Sequence, residues 1–217
     1  AMTGVRMITG RHGPDVTGEA QLYETPQQAV RALCRADNWL RGGPRVLWDP
    51  ACGPGAIVAA LQAEGHDARG SDLYAYGARW KGDMALRRPR WRIDFLKTTR
   101  RQAGPMEAVV MNPPYGRGPD GVPRTETFLL HAMSLVPRVY CLLELGWLQG
   151  QSAARDSLLD SPHWLAFYPF RERLDMNRDG WDGPNAASTR KHAWFVFGRE
   201  ARPEGPHVRR LSILEGA

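Results

Sequence analysis

Asn112-Pro113-Pro114-Tyr115 concentrates more chemistry in four residues than any other stretch of the chain. It follows Ala108-Val109-Val110-Met111, an apolar run that reads as a buried strand, so the tetrad stands just past a strand end. A residue before proline is held extended, which carries Asn112 onward along the strand line. Pro113 has a carbonyl but no N–H, so its backbone can only accept. The Asn112 side-chain oxygen and the Pro113 carbonyl are thus two acceptors held close together. Tyr115 adds a flat ring on which a planar group can stack. Two acceptors and a ring make a receptor for a planar –NH₂ group, of which the exocyclic amine of adenine is one. A proline-rich turn after a strand would use the same residue types, so the rest of the chain has to decide.

A second cluster is Asp49-Pro50-Ala51-Cys52-Gly53-Pro54-Gly55. It lies between Val46-Leu47-Trp48, which reads as a buried strand, and Ala56-Ile57-Val58-Ala59-Ala60-Leu61, which reads as a helix. Strand, glycine turn, helix is the unit that cradles nucleotides in doubly wound folds. Gly53 and Gly55 let the backbone approach a ligand more closely than any Cβ would allow. The spacing lacks the third glycine of the dinucleotide fingerprint, which suits a ligand without a pyrophosphate. Asp72 closes the run after Gly70-Ser71, 19 and 17 positions past the two glycines. An acid ending the second strand is placed to take both hydroxyls of a ribose; a turn or N-cap Asp is the plainer alternative.

Other elements must bring these groups together. Thr25-Pro26 before Ala29, Val30, Leu33 and Cys34 predicts a helix with Thr25 as N-cap and Pro26 in its first turn. That helix end, with Tyr23 beside it, could equally face the carboxylate of a bound amino acid. Trp91-Arg92-Ile93-Asp94-Phe95-Leu96 predicts a short strand. Beyond the tetrad come a Gly/Pro/Arg loop from Arg117 to Arg124, a helix carrying Phe128, Leu129, Ala132 and Met133, and a strand over 139–143. A short helix near 151–159 follows, then strands over 164–168 and 193–197 that should pair antiparallel. Residues 1–20 lack apolar periodicity and read as a loose arm, leaving 21–217 as a single domain.

Composition bounds the partners. Twenty-nine Lys and Arg against 23 Asp and Glu give +6 and a pI near 9.6, which suits a nucleic acid. The excess is concentrated: residues 79–101 hold nine basic and two acidic side chains, with Trp80 and Trp91 interleaved. The stretch reads either as a solvated face or as a phosphate-contacting patch, and its concentration favours the patch. Arg87, Arg88 and Arg90 represent it. Three cysteines without C-x-x-C spacing and six scattered histidines argue against a disulfide framework and predict no metal site. No apolar run approaches the roughly 18 residues of a membrane span, so a cytoplasmic protein is expected.

In this order the motifs resemble the amino-methyltransferases that use S-adenosylmethionine, especially those that modify adenine N6 in DNA. The resemblance covers about residues 22 to 198. It implies a Rossmann-like α/β domain: a mostly parallel seven-stranded sheet with helices on both faces and an antiparallel last strand. It implies catalysis by Asn112, Pro113, Pro114 and Tyr115. The cofactor would be lined by Tyr23, Thr25, Pro26, Asp49, Ala51, Gly53, Gly55, Asp72, Leu73, Asp94, Phe95 and Asn112. Thr25 and Pro26 would meet its methionine end; Asp94 would accept from its adenine amine while Phe95 packs on that ring. Arg117, Trp181, Arg190 and Lys191 join the arginine patch as nucleic-acid contacts, the last three on the loop 175–191. A compact enzyme of phage or prophage type, in a bacterial or phage-infected cell, would fit, with low or short sequence preference because no separate target-recognition region is visible. The same tetrad serves three further readings: an RNA adenine methyltransferase, a protein glutamine methyltransferase, and a cofactor-binding subunit without activity. DNA is the expected partner, RNA stays open, and the oligomeric state is undetermined by sequence.

Overall fold

The computed structural model describes residues 23–117, 121–150, 152–176 and 190–214; the expected arm over 1–20, Trp181 and most of the loop 175–191 lie outside them. The chain forms helix α1 (Gln27–Ala36), the short helix α2 (Asn38–Arg41), strand β1 (Val46–Asp49), helix α3 (Ala56–Ala63) and strand β2 (Asp67–Asp72). Strand β3 (Arg90–Trp91), helix α4 (Arg100–Ala103), strand β4 (Ala108–Met111), helix α5 (Arg124–Leu135) and strand β5 (Arg138–Glu144) follow. Helix α6 (Ala153–Leu159) and strands β6 (Trp164–Pro169), β7 (His192–Gly198) and β8 (His207–Val208) complete it.

The strands make one sheet of eight in the order β3-β2-β1-β4-β5-β7-β6-β8. All pairings are parallel except those of β7, which slots antiparallel between β5 and β6. β1 and β4 are neighbours at the point where the strand order reverses, the crevice where open α/β sheets hold ligands. Successive side chains point to opposite faces of a strand, so each strand feeds two cores. Leu47, Ala108 and Val110 join Val30 and Leu33 of α1 and Ile57 and Leu61 of α3 on one face. Trp48, Val109 and Met111 join Leu129 and Ala132 of α5 on the other. Coverage on both faces is why β4 is apolar at every position.

The antiparallel pairing of the 164–168 and 193–197 segments is as expected, and four departures have physical causes. An eighth strand, β8, adds parallel to β6 through only Ala166↔His207 and Phe167↔Val208, a pairing too short to leave a period-two pattern in sequence. The strand expected over 91–96 stops at Trp91: Arg92 turns to φ 59°, and Phe95–Lys97 wind into a 3₁₀ turn capped by the Asp94 side chain. That turn sends the Phe95 ring into the core, 2% exposed, edge-on to Trp48 at 5.3 Å. Phe95 is therefore a core residue with no free face for a cofactor. Finally, Pro26 and not Thr25 occupies the N-cap of α1, and the Thr25 side chain makes no cap bond.

Candidate active site

The two clusters of the sequence meet at the carboxyl ends of β1, β2 and β4. Gly53 and Gly55 take φ of 51° and 90°, the left-handed region where a side chain is strained. This turn brings the Gly53 N–H onto Asp72 Oδ2 at 2.8 Å, while the Tyr74 N–H donates to Asp72 Oδ1 at 2.9 Å. Asp72 is thereby fixed beside the turn with acceptor capacity left on both oxygens. Asp49, at the end of β1, takes the Ala51 N–H at 3.2 Å and is 2% exposed. Burial pushes its carboxyl well above the usual carboxylate range, and the neighbouring Asp72 adds to the effect. Burial raises the Asp72 carboxyl too. Both shifts run toward the neutral carboxyl, the direction in which burial acts on an acid.

Tyr23, Thr25, Asp49, Ala51, Gly53 and Asn112 line one narrow cleft, of about 30 Å³. Thr25 Oγ1 is buried there with no hydrogen-bond partner, a polar atom left for something other than the chain. Lys81 ties the two walls together: its N–H donates to Pro54 O at 2.7 Å and its ammonium reaches Glu24 at 2.6 Å. Gly55 differs from Gly53 in what its bareness serves. A Cβ at Gly55 would come within 2.5 Å of the Trp80 ring, which also covers Gly70, so Gly55 makes room for an indole and not for a ligand. Leu73 follows Asp72 and is 52% exposed, and Leu96 beside Asp94 is 39% exposed. These two aliphatic faces stand free at the strand ends, where Phe95 does not. Asp94 takes the Leu96 N–H at 3.2 Å and pairs with Lys97 at 3.1 Å.

Asn112 continues from β4, and its orientation is set by a carbonyl. The Tyr23 C=O can only accept, so the Asn112 amide turns its NH₂ to it at 3.1 Å. The Asn112 oxygen then faces Tyr115, whose hydroxyl donates to it at 2.7 Å and lies 3.3 Å from Leu142 O. Burial drives the Tyr115 hydroxyl well above the usual tyrosine range, so it remains a donor. The Tyr115 ring meets Tyr23 edge-on at 6.2 Å. The acceptor oxygen expected to be open is thus held by the tetrad's own tyrosine.

On its other side Tyr115 lines a second cleft, of about 330 Å³, with Trp147, Glu126, Arg155, Glu144 and Arg190. The buried Glu126 takes Arg155 Nε at 3.0 Å and Nη2 at 2.6 Å, and the Arg155 guanidinium sits 5.2 Å over the Trp147 ring. Arg190 is ion-paired with Glu144. Sequence reasoning missed Trp147, Glu126 and Arg155. Trp147 was accessible to it, because it follows the carboxyl end of β5, where ligands gather. Glu126 was too, as an acid on the same helix face as Leu129 and Met133.

The expected nucleic-acid residues scatter. Arg117 and Arg190 line the second cleft and Lys191 is exposed next to it. Arg87 is drawn the other way: its guanidinium makes two 2.8 Å bonds to Asp67, at the amino end of β2. Together with Arg69 it pulls the Asp67 carboxyl down to about 2. Arg88 and Arg90 are exposed near the β3 edge, with Arg90 reaching Gln102 O at 3.5 Å. Among the described residues, no group of His, Cys, Asp and Glu is arranged to hold a metal ion, and no helix is long and apolar enough to cross a membrane.

No protein-family model matches the chain, and no curated protein matches it in sequence. Solved structures do match in fold. A modification subunit assigned to a type I restriction enzyme from Vibrio vulnificus YJ016 superposes with a TM-score of 0.62 at 16% identity, over 94% of this chain and 50% of that one. The type IIG restriction endonuclease BpuSI gives 0.64 at 14% identity, over 85% of this chain and 26% of that one. A magnesium protoporphyrin IX methyltransferase from Synechocystis PCC 6803, with bound SAH, gives 0.50 at 15%, over 80% and 83%. The chain spans half or less of the two restriction proteins. The common property is the fold: a Rossmann-like methyltransferase sheet, mostly parallel, with β7 antiparallel.

Proposed function

We propose that the chain transfers a methyl group from S-adenosylmethionine to the exocyclic amine of adenine in DNA. One observation carries this reading: Asn112 lines the narrow cleft with Thr25 and Asp49, while Tyr115, bonded to Asn112, lines the larger cleft beyond it. The tetrad is the partition between two compartments, as a transfer between two ligands requires. The residues of the narrow cleft suit this cofactor. Thr25 Oγ1 is an unpartnered buried hydroxyl for its amino-acid end, and Asp72, fixed beside the glycine turn, keeps acceptors for the ribose hydroxyls. Leu73 and Leu96 flank the place its adenine would lie. Lys81 must release one wall of this cleft to admit it.

When bound, the cofactor supplies an activated methyl on a sulfonium. The remaining work is positioning and electrostatics. Asn112 and the Pro113 carbonyl accept two hydrogen bonds from the target amine, which turns its lone pair toward the narrow cleft. The amine nitrogen would accept that methyl through its own lone pair and then release a proton to water, with no base in the tetrad needed beforehand. A duplex target has to leave the stack to reach the second cleft, with Tyr115 receiving it. The restriction-system proteins that share the fold support a DNA substrate. Asn112→Ala tests the assignment: cofactor affinity should hold within a few-fold while turnover falls by on the order of 10² or more. Wild-type turnover in a folded Asn112→Ala protein would remove the tetrad from the reaction.

A further inference from the structure

The arginine-rich stretch 79–101 and the carboxyl rim of the sheet are two different basic surfaces, and only the second opens onto the larger cleft. Because β7 runs antiparallel, its first residues lie at the same end of the sheet as the last residues of β5, β6 and β8. Backbone hydrogen bonds join these ends into a continuous ledge. The Leu145 N–H donates to Lys191 O at 2.8 Å, the Phe170 N–H to His192 O at 3.2 Å, and the Arg171 N–H to Leu211 O at 2.9 Å. On this ledge stand Arg190 and Lys191, then Arg171 and Arg173, then Arg210, all exposed, while the neighbouring Arg209 turns its Nη1 onto Ala36 O at 3.4 Å. Among the described residues, the acids interspersed with them are Glu144, Glu172 and Asp175. Glu144 is taken by Arg190, and Glu172 is turned onto Ser212 Oγ at 2.7 Å and the Ile213 N–H at 3.1 Å. Asp175 is exposed. The described residues of the ledge are therefore predominantly basic, and the ledge ends, at Arg190, in the wall of the cleft that holds Tyr115.

We propose that this ledge is the track for the nucleic-acid backbone, and that Arg173, Lys191 and Arg210 contact phosphates while a base enters the Tyr115 cleft. Its occupant is fixed by charge and by dimension. Strands lie about 4.8 Å apart, so the ledge runs about 14 Å from β5 to β8. At 3.4 Å of rise per nucleotide that is roughly four phosphates of one strand. The competing stretch is spent elsewhere in part: Arg87 is committed to Asp67 at the opposite end of the sheet, Lys81 to Glu24 and Pro54 at the narrow cleft, and no residue of 79–101 lines the larger cleft. This inference rests on the proposed activity for the identity of the polymer, and it differs from that reading in what it places and where.

The test is binding of a fluorescein-labelled DNA duplex by anisotropy across a salt series, with wild type, Arg173→Gln/Arg210→Gln, and a charge-matched control, Arg41→Gln/Arg199→Gln. Arg41 and Arg199 are exposed at the amino end of the sheet. The ledge variant should bind on the order of tenfold or more weakly and lose about 2 from the slope of log affinity against log salt. The control should match wild type, and cofactor affinity should be unchanged in all three. A ledge variant indistinguishable from wild type would overturn the track, as would absence of wild-type binding to DNA. Salt-dependent binding that the ledge variant loses, in a wild type that transfers no methyl group to DNA, would leave the track standing and refute the proposed activity instead.

Discussion

Asn112 and Tyr115 satisfy each other in this structure, and that bond bears on how the site works. The Tyr115 hydroxyl occupies the acceptor that the target amine needs, at 2.7 Å from the Asn112 oxygen. A single hydrogen bond of this kind nets about 1 kcal/mol, enough to keep the amide oxygen satisfied and small enough for an incoming amine to displace. Tyr115→Phe keeps the ring and removes the competitor. It should raise kcat/KM for the nucleic acid by roughly fivefold, the rate equivalent of that bond, with cofactor affinity unchanged; steady-state kinetics decides it. A fall in kcat/KM would mean that the hydroxyl orients Asn112 during transfer. The types and order of these residues were legible in sequence because Pro113 and Pro114 fix the backbone between Asn112 and Tyr115. The Tyr115 rotamer was not, since it depends on the Tyr23 carbonyl, 89 positions away along the chain from Asn112.

At the scale of elements, the clefts are held in place by joints that no short window of sequence displays. The α1–α2 junction is one. Asp37 caps α2 through the Trp39 and Leu40 N–H groups, both at 3.0 Å, and also takes the hydroxyls of Tyr140 on β5 at 3.0 Å and Tyr168 on β6 at 3.1 Å. One buried carboxyl thus ties the end of α1, the helix that follows Thr25, to two strands of the sheet. Asp37→Ala leaves two buried hydroxyls and a helix start unsatisfied, and should cost about 2–4 kcal/mol, lowering Tm by roughly 5–15 °C. Thermal unfolding followed by circular dichroism gives the answer, and an unchanged Tm would mean that water replaces the carboxyl at no cost. Sequence reasoning placed the strands and helices well where apolar periodicity is long, as in β4, β5 and α3. It failed between β2 and β4, where Trp80 fills the face a helix would otherwise cover and Arg92 turns left-handed. A single large side chain seated in a glycine cradle leaves no periodic trace.

For the whole molecule, the order of the motifs along the chain determined more than any one of them. Thr25, the glycine turn, Asp72, Asp94 and Asn112 lie far apart in sequence, and a doubly wound sheet returns each to the same end. That end also collects the basic ledge of β5 through β8, while the densest basic stretch, 79–101, commits part of its charge at the opposite end. Charge density was readable from sequence and charge direction was not, because direction depends on which strands run antiparallel. The most direct test of the account is to incubate the protein with labelled S-adenosylmethionine and duplex DNA, single-stranded DNA or RNA, and to digest the products to nucleosides for mass identification. The account predicts N6-methyldeoxyadenosine from DNA. Label in no nucleoside, from a protein that binds the cofactor, would contradict it.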